Sequence, residues 1–244
     1  MSLRLGFDLD GVLADMNSAL AREARRLFSG LEPQRSEAGG PETSGGGDSG
    51  GEAVEAAPLS LRLTDRQERQ LWDAVRDIPN FWETLDETEV GIVARLAATA
   101  AARRWEVMFL TSRPRTAGDI VQVQSQRWLT RLGFPLPALY VVSTSRGRIA
   151  QALGLDVVVD DRPENCLDVA IESKARAILI WRDEENAVPA SARRLGIGGV
   201  ASVAACLDLL VAAEDADQNE GGLMDRLKRL LKIKPAASTE QARA

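Results

Sequence analysis

Two pairs of aspartates follow short apolar runs, and they are the side chains of this sequence best suited to chemistry. Asp8 and Asp10 close the first apolar run, and Asp160 and Asp161 follow a second run at residues 157–159. Residues two apart in an extended chain face the same side, so Asp8 and Asp10 are expected to share one face. Two like charges this close are costly unless a cation or a shared proton offsets them. The pattern therefore favours a hard divalent cation, and Mg²⁺ suits a few carboxylates with retained waters and phosphate oxygens.

A third polar cluster follows another apolar run. Thr111, Ser112 and Arg113 come directly after residues 106–110. Hydroxyls and free backbone N–H groups bind phosphate, and ligands of α/β sheets gather at the carboxyl ends of the strands. Three polar clusters after three strands therefore predict phosphate chemistry at one edge of a sheet.

Strand-like and helical segments alternate along the chain. Apolar runs that predict buried strands lie at residues 3–9, 106–110, 139–142, 157–159 and 177–181. Helical stretches are predicted at residues 16–28, 64–76, 90–103, 117–132, 148–153, 164–173 and 200–213. This alternation is typical of an α/β protein with a central parallel sheet covered on both faces, a three-layer Rossmann-like arrangement.

The first two strands are separated by about 95 residues, far more than the roughly 10 to 12 that a crossover needs. We therefore expect an inserted helical cap at residues 16–87, with the core formed by residues 1–15 and 88–213. Within the cap, residues 32–58 consist largely of Gly, Ser, Glu and Pro. Such a segment cannot offset the entropy of ordering, so we predict a disordered loop there.

Residues 214–244 form a predicted polar linker and a basic amphipathic tail. Leu223, Leu227, Leu230 and Leu231 share one helical face, and the intervening positions are rich in Arg and Lys. One interpretation is a helix that contacts a partner or a membrane surface. We favour the other, a terminal helix that docks on its own domain or frays.

Composition excludes several classes of function. The chain has 244 residues, 36 acidic against 30 basic, and a net charge of −6, which disfavours nonspecific binding to a nucleic-acid polymer. It has no histidine, so Ser-His-Asp catalysis and histidine zinc sites are excluded. Its two cysteines are far apart, so neither a disulfide framework nor a zinc ribbon is expected. No apolar run approaches the length of a membrane span. We expect a soluble cytoplasmic protein.

Three segments resemble motifs of a known superfamily. FDLDGVLAD, FLTSR and VVDDRPEN, in this order, resemble motifs I, II and IV of the haloacid dehalogenase superfamily of aspartyl phosphatases. Together with the segment PNFWETL, they are most similar to the cytosolic 5'(3')-deoxyribonucleotidase group. The resemblance covers most of residues 3–15 and 78–182.

The resemblance implies roles for the four aspartates. Asp8 would be the nucleophile that forms an aspartyl-phosphate, and Asp10 the acid and then the base. Mg²⁺ would be held by the Asp8 carboxylate, the Asp10 carbonyl oxygen and Asp160, with Asp161 binding directly or through water.

The resemblance also implies a phosphate site, and there the chain departs from the family. Thr111, with Ser112 beside it, would hydrogen-bond the transferring phosphoryl group. At motif III the family usually has a lysine, whereas this chain has Arg146 as the better positional match and Arg148 as the second. Arginine keeps the charge but changes the geometry. The other interpretation is that both arginines are solvated residues at the start of a helix.

Aromatic residues near the cap are open to two interpretations. Trp72, Phe81 and Trp82 either face a cleft and stack on a nucleobase or form the hydrophobic core of the cap. Arg113 either reaches the substrate or pairs with an acidic neighbour.

The sequence thus predicts a Mg²⁺-dependent phosphomonoesterase that acts on a small phosphorylated substrate, with (deoxy)nucleoside monophosphates preferred. Two alternatives stay open. One is a phosphatase for sugar phosphates or other small metabolites, because the cap sets selectivity. The other is a catalytically weak phosphate-binding or scaffold protein, because motif III lacks its lysine.

Overall fold

A six-stranded parallel sheet forms the centre of the described part of the protein. The computed structural model describes residues 2–28, 63–182 and 188–217. The strands are β1 (Arg4–Asp8), β2 (Glu106–Thr111), β3 (Ala138–Val141), β4 (Val157–Asp160), β5 (Arg176–Ile180) and β6 (Gly198–Val200). Their order is β3-β2-β1-β4-β5-β6, and every neighbouring pair is parallel. The carboxyl ends of β2, β1 and β4 therefore lie side by side at one edge.

Helices cover both faces of this sheet. They are α1 (Met16–Leu27), α2 (Asp65–Arg76), α3 (Ile92–Arg103), α4 (Val121–Arg131), α5 (Arg146–Leu153), α6 (Pro163–Glu172), α7 (Ala190–Arg194) and α8 (Val203–Asp217), with a 3₁₀ turn at Phe81–Glu83. Local chemistry sets several of the ends. Thr64 and Gln67 form a capping box at the start of α2, and Gly154 adopts the left-handed conformation after α5.

Apolar side chains that alternate between the two faces of the sheet form two separate core clusters. Phe7 and Phe109 belong to one cluster, which α1, α2, α3, α4 and α8 complete. Leu110 and Val158, one residue out of phase, belong to the other, which α5, α6 and α7 complete. Successive strand residues point to opposite faces, so one sheet supplies both clusters. This confirms the predicted three-layer α/β fold.

The five predicted strands are confirmed, with ends that differ by one residue at most. The predicted helix at residues 117–132 begins only at Val121. The reason is that the backbone before it bonds elsewhere. The amide of Ala117 donates to Arg76 (2.7 Å), its carbonyl accepts from Asn80 (2.7 Å), and the amide of Asp119 donates to Asn80 Oδ1 (2.8 Å).

At the far end the structure differs from the predicted linker. Helix α8, the last one in the described residues, continues through Glu214 to Asp217. Ion pairs and a hydrogen bond stabilise the additional turn, because Trp105 Nε1 donates to Glu214 (3.1 Å) and Arg103 Nη2 donates to Asp215 (3.0 Å). The predicted loop at residues 32–58 and the tail from residue 218 onward lie outside the described residues.

The helices of the predicted cap pack into the same core as the sheet. Leu20 of α1 and Trp72 of α2 belong to the cluster that contains Phe7 and Phe109. The cap boundaries at 16 and 87 remain a prediction. In the ranges that the structure describes, none of the helices is long and apolar enough to cross a membrane.

Candidate active site

The predicted polar clusters lie next to one another at the carboxyl edge of the sheet. Asp8, Thr111 and Asp160 are the last residues of β1, β2 and β4, which are adjacent strands. All three are buried, as are Asp10 and Arg146. Ser112, the neighbour of Thr111, is exposed. The sheet order therefore brings most of the predicted site residues together.

A tight turn after β1 directs the chain past the second aspartate pair. Leu9 O accepts hydrogen bonds from Leu13 N (2.8 Å) and Ala14 N (2.7 Å). Gly11 has φ +77°, and a Cβ at this position would collide with Asp161 Oδ2. Only glycine combines this conformation with so close an approach, so the turn and Asp161 fit one another.

Asp8 is paired with Arg146, the first residue of α5. The distance from Arg146 Nη2 to Asp8 Oδ1 is 2.5 Å, and Arg146 Nε lies 3.6 Å from Asp160 Oδ2. Arg148 points elsewhere, since its side chain is largely exposed and lies 3.5 Å from Glu172. Of the two arginines considered from the sequence, Arg146 is the one that contacts the aspartates.

Asp160 is held by its own strand-to-helix turn. It accepts hydrogen bonds from Arg162 N (2.9 Å) and from Asn165 Nδ2 (3.0 and 3.1 Å to its two carboxylate oxygens). Asn165 had no role predicted for it. Its spacing of five residues from Asp160, across the first turn of α6, was the available signal.

Asp10 has a different cation for a partner. Arg113 Nε donates to both carboxylate oxygens (2.8 and 3.0 Å), and Arg113 Nη2 donates to Oδ1 (2.7 Å). Thr111 Oγ1 is 3.5 Å from Oδ2 of the same carboxylate. Arg113 Nη1 also donates to Ser125 Oγ of α4 (2.9 Å). The two aspartates of β1 and the turn after it thus lie in separate electrostatic surroundings.

Burial is the largest influence on the pKa values of Asp8 and Asp160, the two aspartates near Arg146. It raises the pKa of Asp8 well above the ordinary aspartate range. Arg146 opposes this shift, whereas Asp160, Asp161 and Asp10 add to it. Burial likewise raises the pKa of Asp160, against the guanidinium of Arg146 and the hydrogen bonds from Arg162 and Asn165. The site is therefore one in which negative charge is costly and a further cation is stabilising.

Comparison with solved structures supports the fold. A structure assigned as a beta-phosphoglucomutase from Thermotoga maritima has a TM-score of 0.50 and 14% identity over 86% of this chain and 99% of its own. The chain has the haloacid dehalogenase-like fold.

Two further structures are similar at slightly lower scores. A haloacid dehalogenase-like family hydrolase from Xanthomonas campestris has a TM-score of 0.49 and 15% identity over 90% of this chain and 99% of its own. A haloacid dehalogenase family hydrolase from Deinococcus radiodurans, with bound phosphate and sodium, has a TM-score of 0.49 and 16% identity over 87% of this chain and 96% of its own. No family model and no curated protein matches the chain in sequence.

The carboxylate oxygens at this edge of the sheet suit a hard cation. Three buried carboxylates, Asp8, Asp10 and Asp160, face two buried guanidiniums, those of Arg113 and Arg146. The balance is negative before the half-buried Asp161 is counted. Over the described ranges, no three Asp, Glu or Cys side chains form a ready-made metal cage. Mg²⁺ needs none, since it keeps waters and binds through one or two carboxylates with substrate phosphate.

The aromatic residues considered from the sequence lie inside the protein. Trp72, Phe81 and Trp82 are buried in the larger core cluster, and Phe81 and Trp82 pack edge to face with ring centroids 5.1 Å apart. Arg113 Cζ lies 4.8 Å from the centre of the Trp82 ring. Gln124 and Ser125 were not predicted as site residues, and both are buried polar residues on the apolar face of α4 beside Trp128. Polar residues at apolar helical positions were the signal that could have found them.

Proposed function

We propose that this protein is a phosphomonoesterase that works through a phosphoryl group carried on Asp8. The observation that carries the proposal is the pairing of two neighbouring carboxylates with different cations. Asp8 contacts Arg146, which also lies near Asp160, whereas Asp10 contacts Arg113. Carboxylates in different surroundings can take different roles, one as nucleophile and one as proton carrier.

The first step transfers the phosphoryl group to the protein. A carboxylate oxygen of Asp8 forms a bond to phosphorus while the bond between phosphorus and the substrate oxygen breaks. Asp10 donates a proton to the departing oxygen, which leaves as an alcohol. In the second step Asp10 takes a proton from water, the water oxygen bonds to phosphorus, and the bond to Asp8 breaks. Division into two displacements lowers each barrier.

Cations of this chain oppose the charge of the incoming phosphate. Arg146 occupies the position of the motif III lysine and contacts Asp8. Its guanidinium is suited to bind phosphate oxygens in a bidentate manner. Thr111, at the end of β2, is the hydroxyl donor for the phosphoryl oxygens.

Asp8, the carbonyl oxygen of Asp10, Asp160 and Asp161 are the residues that would hold Mg²⁺. The ion supplies charge neutralisation between the nucleophile and the phosphate. Asn165 and Arg162 N keep the Asp160 carboxylate in one orientation, as outer hydrogen bonds do for metal-binding carboxylates.

Two substrate classes are compatible with this chemistry. The motifs DLDGVLAD, FLTSRP and DDRPEN favour a (deoxy)nucleoside monophosphate. The burial of Phe81 and Trp82 favours a sugar phosphate or another small phosphomonoester, because neither ring is exposed for stacking on a base. The third alternative, a phosphate-binding scaffold, predicts binding without turnover.

The experiment is phosphate release by the purified full chain with and without Mg²⁺. The panel contains deoxyribonucleoside and ribonucleoside monophosphates and several sugar phosphates, with Asp8→Asn as the inactive variant and Asp86→Asn, an exposed carboxylate, as the matched control. Metal-dependent release that disappears only in Asp8→Asn supports the proposal. The preferred class identifies the substrate. Equal inactivity of the wild type and Asp8→Asn, with phosphate binding retained, favours the scaffold.

A further inference from the structure

The charged side chain of Arg113 is completely enclosed next to the reacting groups. None of its side-chain surface is exposed, and the Asp10 carboxylate beside it is also buried. A buried guanidinium needs a partner for its charge and acceptors for its N–H groups. Asp10 meets the first need through three hydrogen bonds of 2.7 to 3.0 Å, and Ser125 Oγ accepts a fourth at 2.9 Å.

Two aromatic rings lie close to this guanidinium. Arg113 Cζ lies 4.8 Å from the Trp82 ring centre and 5.9 Å from the Trp128 ring centre. Each ring is itself anchored, because Trp82 Nε1 donates to Pro114 O (3.0 Å) and Trp128 Nε1 donates to Leu85 O (2.8 Å). Trp82 N also donates to Gln124 Oε1 at 3.1 Å. The guanidinium is therefore held by Asp10, Ser125 and two buried tryptophan rings.

We propose that Arg113 is a positioning residue that acts through Asp10, holding its carboxylate in the one orientation from which it exchanges a proton with the substrate oxygen and with water. This inference rests on the proposed function. Of the two interpretations left open by the sequence, Arg113 thus takes the second, since it pairs with the acidic neighbour Asp10 instead of contacting the substrate. The buried Trp82 and Trp128 rings, together with Ser125, form the frame of the arginine, so the segment after α2 and helix α4 both determine the orientation of Asp10.

A leaving-group comparison separates positioning from simple support of the fold. Hydrolysis of p-nitrophenyl phosphate releases a stable phenolate and needs little proton donation, whereas glycerol 2-phosphate releases an alkoxide that must be protonated. The value of kcat/KM reports transition-state stabilisation relative to free enzyme and substrate. Its ratio for the two substrates is independent of how much of the preparation is folded.

The experiment measures this ratio, glycerol 2-phosphate over p-nitrophenyl phosphate, in the full chain with Mg²⁺. General acid catalysis contributes about 10²- to 10⁴-fold, so Asp10→Asn is expected to lower the ratio by about 10²-fold. Arg113→Lys, which keeps the charge and loses the planar fork, is expected to lower it by at least about 10-fold. Ser125→Ala, a milder change, is expected to lower it in the same direction and covers the case in which Arg113→Lys does not fold.

Two controls complete the design. Arg95→Lys, at a surface arginine that pairs with Asp208 at 2.5 Å, is expected to leave the ratio unchanged. In an Asp10→Asn background, Arg113→Lys is expected to cause no further decrease, because its effect passes through Asp10. A wild-type ratio in both Arg113→Lys and Ser125→Ala would overturn the inference, as would a further decrease in the Asp10→Asn background. If the wild type hydrolyses neither of these substrates nor any phosphomonoester of the panel described above, the proposed function fails and this inference fails with it.

Discussion

Each aspartate at the end of β1 has an arginine of its own. Arg146 contacts Asp8 and Arg113 contacts Asp10. The aspartates were predicted from their spacing, and Arg146 was predicted from the resemblance as the positional match to the motif III lysine. The sequence left two interpretations for Arg113, because the direction of a side chain after a strand depends on the loop that follows. Only the structure places it against Asp10 and Ser125.

The buried carboxylate of Asp8 is expected to lower the free energy of unfolding at neutral pH. Its pKa is raised in the folded state by burial, so the folded protein binds the proton more tightly than the unfolded chain. The free energy of unfolding therefore falls as pH rises from the unfolded pKa through the raised folded pKa, and Asp160 adds to this trend. In metal-free buffer at neutral pH, Asp8→Asn is expected to stabilise the fold by about 0.5 to 2 kcal/mol while turnover is lost.

Thermal unfolding measured from acid to neutral pH tests this prediction. Each kcal/mol corresponds to about 2 to 4 °C in Tm for a chain of this size. Asp86→Asn, at an exposed side chain, is the control and is expected to change stability by less than about 0.5 kcal/mol. A lower Tm for Asp8→Asn across the whole pH range would contradict the account.

The two arginines of α5, Arg146 and Arg148, are expected to differ in their contribution to turnover. Arg146→Met is expected to lower kcat by about 10²- to 10³-fold, the usual effect of losing one group that stabilises a transition state. Arg146→Lys, which introduces the residue that motif III of the haloacid dehalogenase superfamily usually has, is expected to retain most of the turnover. Arg148→Met is the matched control, since Arg148 is exposed and contacts Glu172. Equal losses in Arg146→Met and Arg148→Met would count against the assignment.

Among the elements, helix α5 shows how packing positions a charged side chain. Arg146 is its first residue, and Gly147 follows. A Cβ at Gly147 would collide with the carbonyl oxygen of Asp168 in α6. The glycine allows the two helices to approach closely, and we expect this contact to direct Arg146 toward Asp8.

Substitution of Gly147 by alanine tests this contact. The obstructing atom belongs to the backbone, so the helices must separate. We expect a loss of about 1 to 3 kcal/mol of stability and a lower kcat, because Arg146 moves with α5. Denaturant unfolding and phosphate release on the same preparation measure both effects. Gln151→Ala, at an exposed position of α5, is the control. Unchanged kcat in Gly147→Ala would show that the close contact does not position Arg146.

Elements with strong local patterns were predicted, and those without them were missed. β1 and β4 are apolar runs bounded by aspartates, so their identity followed from sequence. β6 was missed because Gly198–Val200 is only three residues long and begins with two glycines. A Cβ at Gly199 would lie 2.7 Å from Val188 Cγ2, so this strand is defined by tertiary packing rather than by propensity.

On the scale of the whole molecule, the core is continuous between the sheet and the helices that follow β1. Leu20, Trp72, Trp82, Trp105 and Trp128 all belong to the cluster built on Phe7 and Phe109. The cap was predicted from the interval of about 95 residues between the first two strands and from the helical patterns within it. Length indicates that an insertion exists but not how it packs, since packing depends on apolar faces that meet only in the folded chain.

We therefore expect the described parts of the chain to unfold in one transition. Tryptophan fluorescence reports mainly the shared cluster, which contains four of the five tryptophans, and far-UV circular dichroism reports all helices. Coincident denaturation curves from the two probes are the expected result. Trp72→Phe provides a control that removes the fluorescence signal of α2 without a large change in packing. An earlier fluorescence transition that disappears in Trp72→Phe would indicate that α1 and α2 unfold independently.

The central claim is that Asp8 carries the phosphoryl group during turnover. The most direct test mixes the full chain with Mg²⁺ and excess p-nitrophenyl phosphate, quenches in acid within the first turnovers, and locates phosphate by peptide mass spectrometry. The account predicts phosphate on Asp8 that hydroxylamine removes, and none in Asp8→Asn. Phosphate on another residue, or continued turnover by Asp8→Asn, would contradict it.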